Sequence, residues 1–200
     1  MVDQVESRAA PDVITGLFHR FFMNLPSFPP LYPHFEQLGS ASAYVDDVFD
    51  VLKQEVMFED FSRQEIEVLC LFMQCFAAPR TAELLTEGQE GDHLLVILTG
   101  QVLVRKHASS GLPVSIAMVG PGDILGEMSL IDGACRFASC VATEPVDFAV
   151  MRRADLNEIL IMHPRLANKF LIKVLQIMVN RMRDAGLRAL SLSNGSTPIV

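Results

Sequence analysis

Apolar positions along the chain follow two periods, and the switches between them mark out its elements. In DVITGLFHRFFMNL, residues 12–25, Val13, Ile14, Leu17, Phe18, Phe21, Phe22 and Leu25 fall at helical spacing behind Asp12, a side chain suited to capping. The next segment, PSFPPLYP, holds four prolines in eight residues and predicts an extended connector. From Ala43 to Val56 the helical period returns at Val45, Val48, Phe49, Leu52 and Val56. Ser62 with Glu65 makes a capping-box pattern that opens a third helix, expected from Arg63 to about Phe76 and stopped before Pro79.

Beyond Gly88 the pattern shortens. Eight of the twelve glycines, at 88, 91, 100, 111, 120, 122, 126 and 133, separate runs such as LLVIL, QVLVRK and VSIAMV. Turn signals at that pace between β-branched runs predict an antiparallel sandwich or roll. VDFAVM reads as its last strand, and a short helix over Ala154–Met162 stops at His163-Pro164. Pro164 suits the first turn of a further helix, expected to run to about Leu190. Its apolar positions, among them Leu166, Phe170, Val174, Leu175, Ile177 and Met182, form a stripe wider than one contact face needs. Plain core packing and a second contact with another chain both accommodate that width. The tail, SLSNGSTPIV, is polar and expected to fray.

Composition narrows the setting. The 200 residues suffice for one domain and an appendage with a core that needs no staples. No apolar run approaches the ~18 residues of a membrane span, and MVDQVESRAA lacks the basic-then-apolar order of a signal peptide. A cytoplasmic protein is therefore expected. Cys70, Cys75, Cys135 and Cys140 form two C-x4-C pairs, but zinc favours tighter spacing and residues five apart do not share a helix face. All four are expected to be small buried hydrophobes, with no metal bound. The net charge of −8 is uneven, since residues 151–200 carry eight Lys and Arg against three Asp and Glu. Arg165, Lys169, Lys173, Arg181, Arg183 and Arg188 are spread around one helix, which reads as a solvated face rather than a nucleic-acid surface.

The stretch that carries chemistry is GPGDILGEMSLIDGACRFASCVA, Gly120 to Ala142. It sets the turns Gly120-Pro121-Gly122 and Asp132-Gly133 around the carboxylate of Glu127, and follows with one arginine, Arg136. Gly126-Glu127 can open a short helix whose first N–H groups face an anion. Arg136 would add charge-assisted bonds to phosphate oxygens, while Glu127 is better matched to a hydroxyl donor such as a ribose 2′-OH. A mutual Glu127–Arg136 ion pair holding an empty loop is the competing reading. Nothing suggests catalysis: there is no His-based metal cluster, no nucleophile with a partner and no carboxylate pair placed for acid–base work. His19, His34, His93, His107 and His163 read as surface or hinge residues.

The order Gly-Glu-Met-Ser-Leu-Ile, the turn residues Asp-Gly and, after Ala134-Cys135, Arg-Phe-Ala-Ser resembles the phosphate-binding cassette of the cyclic-nucleotide-binding domain family, which includes the bacterial cAMP receptor proteins and the regulatory subunits of protein kinase A. The resemblance covers roughly residues 55 to 188, with EGQEGDHLLVILTGQVLV similar to the family's glycine-punctuated strand pair and EPVDFAVMRRADLNEIL to its closing strand and hinge. It implies an α+β fold: a jelly-roll-like antiparallel β-roll with an N-terminal helical bundle and a long C-terminal helix. The expected division is a helical extension over 1–55, the binding domain with its long helix over 56–190, and a flexible tail over 191–200.

Carried onto this chain, the resemblance implies that Glu127 accepts from the ribose 2′-OH and that Arg136 pairs with the exocyclic oxygens of a cyclic phosphate. Backbone N–H groups of Gly126, Met128, Ser129, Phe137 and Ala138 would complete the cradle. Arg181, on the long helix, reaches the height of the base, where it either stacks on the purine or is solvated. Cys135 stands where a proline is frequent, and Phe137 where the family has Ala, Ser or Thr. Phe137 lacks the hydroxyl that helps a guanine, so cAMP is the expected ligand, in a pocket that the ring narrows. The implied protein is a non-enzymatic sensor without a cofactor, homodimeric through the 164–190 helix and signalling through a protein effector. Direct DNA or membrane binding is not expected. A scaffold that keeps the fold with a degenerate site is the alternative, and Phe137 is its main support.

Overall fold

The structure, a computed structural model, describes residues 31–55, 58–108 and 111–194, with side chains to residue 190. The chain divides into two units, residues 1–33 and 34–200, and all the elements below belong to the second. The helix expected at 12–25 lies outside the described residues.

Two antiparallel sheets make a roll. The five-stranded sheet runs, in spatial order, β1 (Glu36–Ser40), β2 (Gln74–Ala78), β9 (Val146–Arg152), β4 (His93–Ile97) and β7 (Ile124–Leu125). The four-stranded sheet runs β3 (Glu83–Leu85), β8 (Ser139–Ala142), β5 (Val102–His107) and β6 (Pro113–Val119). A 3-10 turn at Ala41–Tyr44 leads into α1 (Val45–Gln54), which is followed by α2 (Arg63–Leu71), α3 (Glu127–Asp132), α4 (Arg153–Met162) and α5 (Pro164–Asn194).

Strand β4 shows why the sheet lies between two apolar layers. All five of its residues are buried, so its side chains cannot alternate between core and water. Leu94 and Val96 join the cluster formed with the helices, while Leu95 and Ile97 point to the opposite face and are buried within the roll. On the helical side, α5 contributes Leu166, Phe170, Val174 and Ile177, spaced four, four and three apart, against Ile66 and Leu69 of α2 and Leu156 and Ile159 of α4. The same helix leaves Ile172, Leu175, Val179 and Met182 exposed on another face. The wide apolar stripe thus resolves into one face on the core and one in solvent.

The Ser62–Glu65 capping box forms as the spacing predicts, with the Ser62 hydroxyl accepting from Glu65 N and the Glu65 carboxylate from Ser62 N. Several expectations are corrected. The third helix ends at Leu71, not near Phe76, because Gln74–Ala78 pairs along its whole length with β9 and takes β1 on its other edge. Strand β1, with a register shift between Gln37 and Gly39, was expected to belong to a purely helical extension; EQLGS has too little apolar alternation to announce a strand. Cys70, Cys75 and Cys140 are buried but Cys135 is exposed, because it sits in the turn after α3 rather than in a strand. The basic residues of α5 are not simply solvated: Lys169 pairs with Glu65 and donates to the Asp60 carbonyl, and Lys173 pairs with Asp60, fastening α5 to the entrance of α2. Arg165 and Arg183 are exposed as expected. His93, expected at the surface, is buried at the start of β4. Among the described residues no helix is long and apolar enough to cross a membrane, and no group of three or more His, Cys, Asp or Glu side chains could hold a metal ion.

Candidate functional site

The pairing of β7 with β4, Leu95 opposite Leu125, delivers Gly126 to the side of His93. Gly126 turns the chain with φ 77° into α3, and Gly133, φ 74°, turns it out again, both left-handed conformations that a side chain would strain. The segment then runs back toward β8, and Arg136 is held by its own backbone: its N–H donates to the Gln89 carbonyl (2.8 Å) and its carbonyl accepts from Gly88 N (2.9 Å). Its side chain is buried, 4% exposed, and Nη1 donates to the carbonyls of His93 (2.8 Å) and Gly126 (3.1 Å). Two glycines keep room for this guanidinium. A Cβ added at Gly91 would lie 2.2 Å from Arg136 Nε, and one at Gly126 2.6 Å from Nη1.

Glu127 is equally buried, 4% exposed, and its partner comes from the long helix: Arg181 Nη1 donates to Oε1 at 2.7 Å, while Arg181 Nη2 donates to the Ile124 carbonyl at 2.6 Å. Two turns further along α5, Arg188 Nη1 donates to the Ile116 carbonyl of β6 at 2.6 Å. The helix is therefore tied down at both ends of a cavity that it helps to wall.

That cavity has a volume of about 400 Å³, within the ~300–1,000 Å³ common for small-molecule sites. All eight residues nominated from the sequence line it: Gly126 to Ser129, Arg136 to Ala138, and Arg181. Val104, Ile116 and Met118 supply an apolar wall from β5 and β6. Asp123, Cys140, Asp184 and Arg188 also reach the cavity and were not foreseen. Asp184 and Arg188 lie three and seven residues beyond Arg181, so the helical period of the nominated residue was the signal that could have found them.

Phe137 lines this cavity and is 53% exposed; the Lys106 Nζ lies 4.2 Å from the centroid of its ring, and its carbonyl accepts from the same Nζ at 2.6 Å. The lysine is itself anchored on Glu87 Oε1 at 2.8 Å. Lys106, aided by the N–H and ring of His107, holds the Glu87 carboxyl down at about 2.

Burial, reinforced by the Arg136 charge and opposed by a hydrogen bond with Asp92, pushes His93 down to about 4, so its imidazole is neutral near pH 7. Burial likewise pushes the Cys140 thiol up to about 12, with the Glu127 charge adding to it. The charges that face the cavity are thus three cationic, Arg136, Arg181 and Arg188, and three anionic, Asp123, Glu127 and Asp184. A buried guanidinium next to the N–H groups that open α3 can bind an anion, and a buried carboxylate across from it can accept from a hydroxyl.

This geometry defines a ligand-binding β-roll. The pattern that defines the cyclic nucleotide-binding domain matches residues 77–163. A crystallised cyclic nucleotide-binding domain from Methylobacillus flagellatus KT is 46% identical, with a TM-score of 0.75 over 82% of this chain and 92% of that one. The chain belongs to the cyclic nucleotide-binding domain family. It is 26% identical over 136 residues to the cyclic AMP receptor protein of Thermus thermophilus, spanning 61% of that protein's length, and the match takes in 68% of this chain. The regulatory domain of Toxoplasma gondii protein kinase A, crystallised with cAMP, superimposes with a TM-score of 0.52 at 25% identity, over 58% of this chain and 44% of that one.

Proposed function

We propose that the protein is a non-enzymatic regulatory sensor that binds a cyclic nucleotide, cAMP foremost, in the cavity between the roll and α5. The observation that carries this reading is Arg136, a buried arginine at the cavity wall for which Gly91 and Gly126 keep space. Burying a guanidinium is costly, and a fold that orients one through two backbone carbonyls toward a cavity is built for an anion. In this reading Arg136 holds the exocyclic oxygens of the cyclic phosphate, with the backbone N–H groups of Gly126, Met128, Ser129, Phe137 and Ala138 around them. Glu127 accepts from the ribose 2′-OH, since a carboxylate with Oε1 on Arg181 still has Oε2 to offer. A scaffold with a degenerate site is the alternative reading, and the open cavity of about 400 Å³ beside Phe137 weighs against it.

Two further features belong to the proposal. Ile172, Leu175, Val179 and Met182, spaced three, four and three along α5, suit a two-helix seam with a second copy. The output passes to a protein effector, for which the amphipathic sequence at 12–25 is the candidate contact. Removal of residues 1–33, which leaves β1 intact, is expected to abolish effector binding; a truncated protein that still binds the effector refutes that role.

Calorimetric titration of ligand-free protein with cAMP and cGMP tests the central reading. Saturable binding of cAMP, tighter than of cGMP, is expected. Arg136→Lys, which keeps the charge and loses the planar fork, is expected to weaken it at least about 100-fold. Folded, ligand-free protein that binds neither nucleotide overturns the sensor.

A further inference from the structure

We infer that Phe137 is a preformed stacking platform for the base of the bound nucleotide, and that it makes the cavity selective for cyclic purine over cyclic pyrimidine nucleotides. The inference rests on the cyclic-nucleotide reading of the cavity. Its starting point is an apparent anomaly: a phenyl ring 53% exposed between two buried neighbours, Arg136 at 4% and Ala138 at 8%. A large apolar side chain left in solvent beside a cavity is a contact surface in waiting.

The ring is not loose. Lys106 touches it twice, with its ammonium over the ring and a hydrogen bond to the Phe137 carbonyl. Lys106 is in turn fixed by Glu87, whose other oxygen accepts from His107 N at 2.9 Å and meets His107 Nδ1 at 3.0 Å. An aromatic held in place before the ligand arrives loses little freedom on binding.

Position along the chain supplies the rest. Phe137 directly follows Arg136, and consecutive Cα atoms are only about 3.8 Å apart, so a nucleotide whose phosphate sits on Arg136 brings its base within reach of the ring. Stacking is indifferent to the hydrogen-bonding edge of a base but grows with its flat area, so a bicyclic purine gains more than a pyrimidine. The apolar side chains of Val104, Ile116 and Met118 line the same cavity and offer a base no competing polar contact.

The sequence contains no tryptophan, so Phe137→Trp places a single indole at the platform. Its fluorescence is expected to change saturably with cAMP, tracking the calorimetric isotherm. Wild-type protein is expected to bind cAMP at least about tenfold more tightly than cUMP, and Phe137→Leu to weaken cAMP by about 5- to 100-fold while narrowing that gap. Phe137→Tyr should retain wild-type selectivity. Equal affinity of Phe137→Leu and wild type for cAMP, or equal losses for cAMP and cUMP, overturns the platform while leaving the cyclic-nucleotide site standing. Absence of any nucleotide binding by wild type overturns both.

Discussion

Two arginines face the cavity from opposite walls, and they are held in opposite ways. Arg136 comes from the turn before β8, is 4% exposed, and is oriented by backbone carbonyls that belong to the roll itself. Arg181 comes from α5, its side chain is 36% exposed, and it is held by a carboxylate and one carbonyl. The side chain of Arg136 is positioned by the fold itself, because it donates to the main chain of β4 at His93 and of Gly126 between β7 and α3. The Arg181 contact is an ion pair whose guanidinium reaches water while its carboxylate, Glu127, is buried, so a ligand hydroxyl that displaces the arginine has to satisfy that same carboxylate. One wall is thus held by main chain, and in the sensor proposed above the other, held through a side chain, is the adjustable one.

Gly126→Ala attacks the fixed wall and should have the largest effect. It forces a Cβ onto a residue with φ 77°, and that Cβ meets the guanidinium and, at 3.0 Å, the His93 carbonyl. Strain and overpacking together are expected to cost about 3 kcal/mol in urea unfolding. The same change should displace Arg136 and remove high-affinity nucleotide binding. A variant with wild-type stability and affinity would show that the guanidinium is not held by this clearance.

His93 belongs to the same wall, and its effect is the next in size. Its folded value of about 4 lies below the ordinary 6.5, so the unfolded chain takes up the proton first. Its contribution is complete above pH 6.5 and is lost as the pH falls from 6.5 toward 4. The loss by pH 5 should be on the order of 2 kcal/mol. Unfolding curves at pH 7 and pH 5, with His93→Gln as the control that flattens this part of the slope, measure it. An unchanged slope in the control would place the titration elsewhere.

The two walls also differ in how far they could be read from the sequence. The Gly120–Ala142 stretch is local: glycines at the turns, Glu127 and one arginine lie within 23 residues, and Gly126, Glu127 and Arg136 line one cavity. The helix wall is tertiary. Arg181 rests on the family resemblance alone, and although its helical period points on to Asp184 and Arg188, only the tertiary fold shows that this face of α5 lies over β6. The same limit explains β1, which exists because β2 offers it an edge, and the overlong α2, whose apolar run continues into a strand that two neighbours claim. His93 was misplaced because a strand buried on both faces leaves no polar alternation to show where its first residue points. Side-chain contacts such as Lys106 on Phe137 join residues 31 positions apart and leave no local trace.

Arg181→Gln probes the adjustable wall and should have the smallest effect. Glutamine is two bonds shorter, so the variant removes the charge together with the hydrogen bonds to Glu127 and to the Ile124 carbonyl. With the arginine a third exposed and water able to take its place at Glu127, the expected loss of unfolding free energy is about 1 kcal/mol. Because the guanidinium reaches solvent, the difference between variant and wild type should shrink as salt is raised, which urea unfolding at low and high ionic strength measures directly. The roll should remain intact and still bind nucleotide. A salt-independent loss approaching that of Gly126→Ala would mean that the helix is locked to the roll as firmly as Arg136 is, and the closure over the cavity could not then be the part that moves.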